Sequence, residues 1–272
     1  MPLARPAPGS CRVCGSAKVV DRVVSAAFDS KQVRVMVCRE CGHVAMPENL
    51  FDYSKITSET QFELANRVGT EAVPGREFGM TTMAIDILRR SGLKVLMYGV
   101  GRSVDNIHVQ KLPKVSRVAI GDVMSFRDDA EFVDITKPAM ERFDIVVASE
   151  VIEHFVYPAE EFPRLLGYLA DDGLLVCSTN VYDGGRLERH RYIFLRGHTS
   201  YYSPNSLRVI ARQNQALVDF RVPVAATGKV GPRKRYVLMS RSRAVMDSVC
   251  DYFGSHMFAP SEPPTELRAA RS

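Results

Sequence analysis

Four cysteines stand in two pairs near the start of the chain, as CRVCG (Cys11, Cys14) and CRECG (Cys38, Cys41), separated by 23 residues. Four thiolates so spaced meet zinc's tetrahedral preference, and each pair precedes a glycine able to turn backbone amides toward sulfur. The competing reading is a set of unrelated core cysteines. A second group begins at LMYGVGRS, where Gly99 and Gly101 follow a short apolar run. Glycines there let a ligand approach the backbone, and a helix start behind them offers free amides; the same glycines could serve only the turn. A third is SEVIEH, Ser149 to His154, two acids and a histidine directly after the apolar run FDIVVA. A fourth, RLERHRYIFLRGHTSYYSP, interleaves His190, Tyr192, His198, Tyr201 and Tyr202 with Arg189, Arg191 and Arg196. Such a polar aromatic surface can hold a sugar, a phosphate or an RNA end, or be an ordinary loop over buried tyrosines.

The elements that must carry these groups alternate. Apolar spacing predicts a helix over 77–92 and strands at 33–38, 93–98, 116–120, 130–134, 143–149 and 174–179. Helices are expected at 103–112, capped by Ser103, at 159–169, closed by Asp171-Asp172-Gly173, and at 203–214. Strands at 216–222 and 235–240 could close as an antiparallel hairpin across VAATGKVGPRK. This pattern implies an α/β fold, a doubly wound, mostly parallel Rossmann-like sheet with an antiparallel last strand, beside a small cysteine-bearing unit. The 272 residues carry a net charge of +5, which tolerates nucleic acid or acidic glycans without demanding them. No apolar run approaches the roughly 18 residues of a membrane helix, and the start lacks a signal-peptide core. No membrane insertion and a cytoplasmic location are the expectation. Val104 breaks the G-x-G-x-x-G spacing, which argues against a nicotinamide or flavin.

RFDIVVASEVIEHFVYP followed by LLGYLADDGLLVCSTN resembles the class I S-adenosylmethionine-dependent methyltransferases, over roughly residues 77–240. The likeness is greatest to the branch with an E-V-I-E-H segment after the fourth strand. With the zinc ribbon it is similar to bacterial enzymes that modify sugars or other small metabolites, and to ribbon-bearing ribosomal-RNA guanine methyltransferases. Composition and cysteine spacing divide the chain into a disordered N-terminus (1–10), a zinc ribbon (11–50), a helical linker and leading helix (51–92) and a C-terminal tail (244–272), and the resemblance implies a methyltransferase domain between them (93–243). It implies that Gly99 and Gly101 underlie the methionine part of the cofactor, that Asp122 takes the ribose hydroxyls and that Asp134 lies near the adenine. Ser149 and Glu150 would line the pocket floor. Each aspartate has a rival reading as a turn or helix cap. Tyr98 replaces a usual carboxylate and could reach the cofactor through its hydroxyl; Ser103 replaces the third glycine.

Methyl transfer to a hydroxyl or amine needs alignment and proton removal. His154 is the expected base, since imidazole titrates near neutral pH, with Glu153 orienting it or touching the acceptor; the alternative is a hydrogen-bonded structural histidine. In small-RNA 3′-terminal methyltransferases an E-x-x-E-H segment binds a divalent metal, and Glu150, Glu153 and His154 match that spacing. His190, Tyr192, His198 and Tyr202 are the expected acceptor contacts, and the zinc would be structural. The expected acceptor is a small molecule, a sugar or nucleotide-sugar. The rivals are an RNA methyltransferase docking through its ribbon and a non-catalytic ribbon protein with a decayed cofactor loop.

Overall fold

The computed structural model describes residues 7–52, 68–125, 127–223 and 234–254. Its main sheet has seven strands: β4 (Leu93–Tyr98), β5 (Val115–Asp122), β6 (Glu131–Asp134), β7 (Phe143–Ser149), β8 (Leu169–Asn180), β10 (Leu217–Arg221) and β11 (Lys234–Ser240). They lie in the order β10-β11-β8-β7-β4-β5-β6. β11 runs antiparallel to both neighbours and the other pairs are parallel. Every residue of β7 but Asp144 is fully buried, as a continuous apolar run requires of a strand covered on both faces. The chain leaves β4 toward β5 on one side and returns through β7 on the other, so the strand order reverses at β4. Ligands of such sheets bind at that switch point, beyond the carboxyl ends of the strands.

Helices cover both faces. α1 (Arg76–Leu88) and α5 (Arg243–Phe253) share one core, built from Met80, Ile87, Met246 and Val249 over the sheet. α3 (Pro158–Gly167) and α4 (Pro204–Gln213) share the other, with Phe162, Leu165, Leu207 and Tyr202. Ser203 caps α4 and Ser242 caps α5 through their side-chain oxygens, satisfying otherwise orphaned amides. Among the described residues no helix is long and apolar enough to cross a membrane.

The cysteine-bearing segment builds a second sheet from β1 (Val19–Ser25), β2 (Gln32–Cys38) and β3 (Val44–Ala45), all antiparallel. Its fourth strand, β9 (Ser200–Tyr201), comes from the opposite half of the sequence. Cys11, Val13, Cys38 and Cys41 belong to the same core as α3 and α4.

Four expectations shift. α2 (Asn106–Val109) is one turn, not 103–112, because Ser103 points its hydroxyl into α1 instead of capping it. Asp171–Gly173 lie inside β8, where the register with β7 slips; a Cβ on Gly173 would stand 2.8 Å from the Asp144 carbonyl oxygen. α1 stops at Leu88, with Arg89 left-handed (φ 53°), short of Ser91-Gly92. The stretch 244–272 opens with most of α5, whose buried face was not read from the sequence. Residues 255–272, most of the hairpin connection at 224–233, 53–67 of the linker, and 1–6 of the N-terminus lie outside the described residues.

Phe162 is fully buried, edge-on to Phe155 at 5.3 Å and to Tyr202 at 5.7 Å. Phe162→Ala is expected to lower stability by about 3–5 kcal/mol in urea unfolding. A loss below about 1 kcal/mol would show that this packing is not central.

Candidate active site

Hydrogen-bonded turns bring the four cysteines together. Gly15 and Gly42 have φ near +72° and +73°, and their amides close the turns onto the Cys11 and Cys38 carbonyls. The amides of Val13 and Cys41 point at the sulfurs of Cys11 and Cys38. Sγ atoms lie 3.5 Å apart for Cys11 and Cys41 and 3.6 Å for Cys14 and Cys38, and all four fall within 4.8 Å of one another. The contact with Cys41 holds the Cys11 thiol far below its ordinary value, at about 3. Four soft sulfur donors at this spacing fit a tetrahedral zinc ion.

The glycine loop closes on the neighbouring strand. Gly99 (φ 68°) donates to the Gly121 carbonyl at 2.6 Å, and Gly101 (φ 53°) donates to the Asp122 carboxylate at 3.1 Å. The Val123 amide donates to the other Asp122 oxygen at 2.7 Å. Burial raises the Asp122 carboxyl in spite of these amides. A Cβ on Gly99 would strike Val151 at 2.6 Å, whereas one on Gly101 would meet nothing within 4 Å. The loop is therefore locked against the segment after β7 on one side and, among the described residues, open on the other. The Ser103 hydroxyl donates to the buried Glu77 carboxylate at 3.1 Å. Beside it, Asp105 accepts the Gly75 and Phe78 amides at the start of α1.

Two further expected cofactor residues have partners within the protein. The Asp134 carboxylate is taken by the Thr136 amide and hydroxyl and by Lys137, which hold it down at about 2. Asp134 is nonetheless level with Asp122 in the β5–β6 pairing. Tyr98 is buried among Ile152, Phe162 and Tyr168, edge-on to Tyr168 at 6.1 Å, and burial raises its phenol.

Beyond β7, Glu150 is left-handed (φ 56°), an uncommon conformation for a residue with a Cβ and one that clusters at functional sites. Its carboxylate accepts from Ser178 at 2.8 Å and pairs with Lys234, while Ser149 and Ser178 share a hydroxyl contact at 3.1 Å. Glu150 is thereby turned from the grouping expected for a divalent metal. The donors that do meet, within 4.8 Å, are Glu153, His154 and His198. Both Glu153 oxygens are buried with no hydrogen-bond partner among the described residues. His154 and His198 lie edge to face at 5.0 Å, and burial together with His154 holds the His198 imidazole down at about 3.

From His198 the rings continue to Tyr192 at 4.3 Å, then to Tyr201 at 4.9 Å. The Tyr201 hydroxyl meets His190 Nδ1 at 2.9 Å, and the Tyr192 hydroxyl meets Thr179 at 2.5 Å. A cavity of about 340 Å³ opens here, lined by Phe28, Asn180, Arg189, Arg191, Tyr192 and Tyr201, with His190. Tyr202 faces the other way. Its hydroxyl donates to the Ile152 carbonyl at 2.8 Å and its ring packs on Phe162 and His43. Successive strand side chains point to opposite faces, so only one of Tyr201 and Tyr202 can join the ring file. Tyr201 was legible by that alternation. Lys234, Thr179 and Phe28 had no local signal.

Residues 68–218 match the family described as a methyltransferase domain. Among solved structures, the 1,6-didemethyltoxoflavin-N1-methyltransferase of Burkholderia thailandensis, with 1,6-didemethyltoxoflavin and S-adenosylhomocysteine bound, is 19% identical with a TM-score of 0.44, over 59% of this chain and 76% of that one. An O-methyltransferase family protein from the same organism is 15% identical with a TM-score of 0.47, over 60% of this chain and 54% of that one. This chain thus spans about half the length of that protein. A S-adenosylmethionine-dependent methyltransferase from Clostridium acetobutylicum ATCC 824 is 10% identical with a TM-score of 0.45, over 60% and 90%. No curated protein matches the sequence.

Burial pushes the Glu77 carboxyl, behind the glycine loop, up to about 7 from 4.5. The folded chain then keeps a proton that the unfolded chain releases, so stability falls as pH rises from about 4.5 through 7 and levels off above. Glu77→Gln should remove that fall, on the order of 2–3 kcal/mol at pH 8. Urea midpoints of both proteins across the window check this; parallel curves would refute it.

Proposed function

Since this chain belongs to the methyltransferase-domain family, we propose that it transfers a methyl group from S-adenosylmethionine to a hydroxyl or amine of a small acceptor, a sugar or related metabolite. The observation that carries this reading is the Gly99–Gly101 loop, closed on Asp122 at the switch point of the sheet and open at Gly101. That open face fits a ligand lying against backbone. Gly99, Gly101 and Asp122 would hold the cofactor, with Asp134 at its adenine end, and Ser149 and Glu150 floor the pocket. When bound, the cofactor supplies an activated methyl group on a sulfonium leaving group.

His154 would take the acceptor's proton, and the buried Glu153 carboxylate within 4.8 Å would stabilise the imidazolium. The acceptor would lie against Tyr192 and His190, in the cavity between β8 and the hairpin tip carrying Phe28, with the His198 ring next to Tyr192. Arg189 and Arg191 on its wall suit an acceptor bearing an anion, as a nucleotide-sugar does. Tyr202 acts instead as a core residue. Zinc on Cys11, Cys14, Cys38 and Cys41 would be structural. A second reading places a divalent ion among Glu153, His154 and His198; the buried Glu153 carboxylate, whose oxygens make no close hydrogen bond among the described residues, favours it.

Calorimetry with S-adenosylhomocysteine tests the first reading: saturable binding is expected, and no heat at millimolar ligand would sink it. Ser103 holds Glu77 through its hydroxyl, so Ser103→Gly is expected to weaken that binding by about tenfold. Tighter binding would mark the loop as decayed instead.

Elemental analysis of purified protein separates the metal readings. One zinc per chain, lost on replacing Cys11 and Cys38 by serine, supports the ribbon alone. A second divalent ion that survives that replacement and disappears in His198→Ala supports the second reading. Absence of any metal would overturn both.

A further inference from the structure

The loop from Leu195 to Thr199 is fastened from two directions. On one side the Asn49 side-chain amide donates to the carbonyls of Leu195 and His198, at 2.5 and 2.9 Å, and the Met46 amide donates to the Thr199 carbonyl at 2.9 Å. Both donors lie just after the cysteine-bearing sheet. On the other side, the Thr199 amide donates to the Glu153 carbonyl at 2.9 Å, and the Thr199 hydroxyl to the Phe155 carbonyl at 2.8 Å. These belong to the turn that carries His154.

Gly197 sits at the apex with φ +82°, a conformation that L side chains rarely adopt. A Cβ there would stand 3.1 Å from His154 Nδ1 and 3.3 Å from the Phe51 Cβ. The Gly197 carbonyl oxygen lies 2.9 Å from that same Nδ1. A carbonyl can only accept, so a neutral imidazole in this contact must carry its proton on Nδ1. Its Nε2 then presents the lone pair. With the tautomers reversed, two lone pairs would face each other across 2.9 Å.

We propose that Gly197 and Asn49 are positioning residues that hold His154 in the Nδ1–H tautomer, so that the segment leaving the cysteine-bearing sheet sets which nitrogen can take a proton. The proposal rests on the reading of His154 as the general base. Gly197 supplies the carbonyl and the space, and Asn49 fixes the loop that presents it. Phe51 borders the same space beside the apex.

Nitrogen-15 NMR of histidine-labelled protein reads the tautomer without any turnover. In spectra recorded across pH, the neutral form of wild-type His154 should show Nδ1 protonated and Nε2 bare, the resonance assigned by its loss in His154→Asn. In Gly197→Ala the Nδ1–H to Nε2–H ratio should fall by about five- to tenfold, the worth of one hydrogen bond. Asn49→Ala should shift it the same way by less, and it remains informative if the glycine variant does not fold. An Nε2–H signal in wild type, or an unchanged ratio in both variants, would overturn the proposal. Calorimetry with S-adenosylhomocysteine on the same samples keeps the two readings apart. Absent binding with an Nδ1–H spectrum defeats the methyltransferase reading and spares the tautomer, and the converse result defeats the tautomer alone.

Discussion

Two residues of backbone, Val44 and Ala45, pair with Ser200 and Tyr201 from the opposite half of the chain, and the file of rings through Tyr201, Tyr192 and His198 is organised around that pairing. A cysteine-bearing segment of this size has little core of its own. It shares one instead: Val24, Val35, Val44 and Met46 pack with Leu187, Tyr192, Ile193, Phe194 and Tyr201. Further bonds repeat the join. Ser203, the cap of α4, donates to the Cys41 carbonyl at 2.6 Å, and Asn205 and Gln213 reach the Glu40 and Val13 carbonyls. Arg12 donates to the Val156 carbonyl and covers the Tyr157 ring. Each tie brings a turn of the cysteine cluster onto an element of the main sheet's α3–α4 face. The cluster and the loop carrying His198 are therefore held by one connected set of contacts.

A second constraint lies behind the glycine loop. Glu77, Ser103 and Asp105 are all buried, and a buried carboxylate costs free energy unless donors surround it. Asp105 is satisfied by the amides that begin α1; Glu77 has the Ser103 hydroxyl and Arg76. The serine at the place of a third glycine thus joins the loop to the helix before β4. Loss of conformational freedom at that position is compensated by a polar contact that a glycine could not make.

Much of the frame was legible because it depends on local pattern. The apolar run at 143–149 could only be a strand covered on both faces, and two CxxCG turns at that spacing needed to meet. Gly99 and Gly101 were readable as backbone demands. What escaped was set by partners distant in sequence. Glu150 was expected beside Glu153 and His154 by spacing, yet Lys234 and Ser178 draw it away, and His198 takes its place from another loop. Asp171–Gly173 read as a turn because Asp and Gly favour turns, but pairing with β7 extends the strand through them. α5 is different: its apolar stripe, Val245, Met246, Val249 and Cys250, has helical spacing within the local sequence and was passed over because the stretch runs on into a Pro-rich end.

These two constraints converge on one short stretch of backbone. The turn at Ile152–His154 receives the Thr199 amide on the Glu153 carbonyl, while Tyr202 holds the Ile152 carbonyl from the core side. Val151, immediately before it, fills the space beside Gly99. The segment after β7 is thus fixed by the glycine loop at one end and by the loop under the cysteine-bearing sheet at the other. A side chain borne on such a turn has little freedom left beyond its own ring rotation, and for His154 the Gly197 carbonyl removes that too. Pre-organisation of this kind is what alignment for a displacement reaction requires, because a misplacement of about 1 Å can cost a hundredfold in rate. The cysteine-bearing unit fixes the loop against that turn through the Met46 amide, the Asn49 side chain and the packing of Met46 and Val44 with Tyr192 and Tyr201.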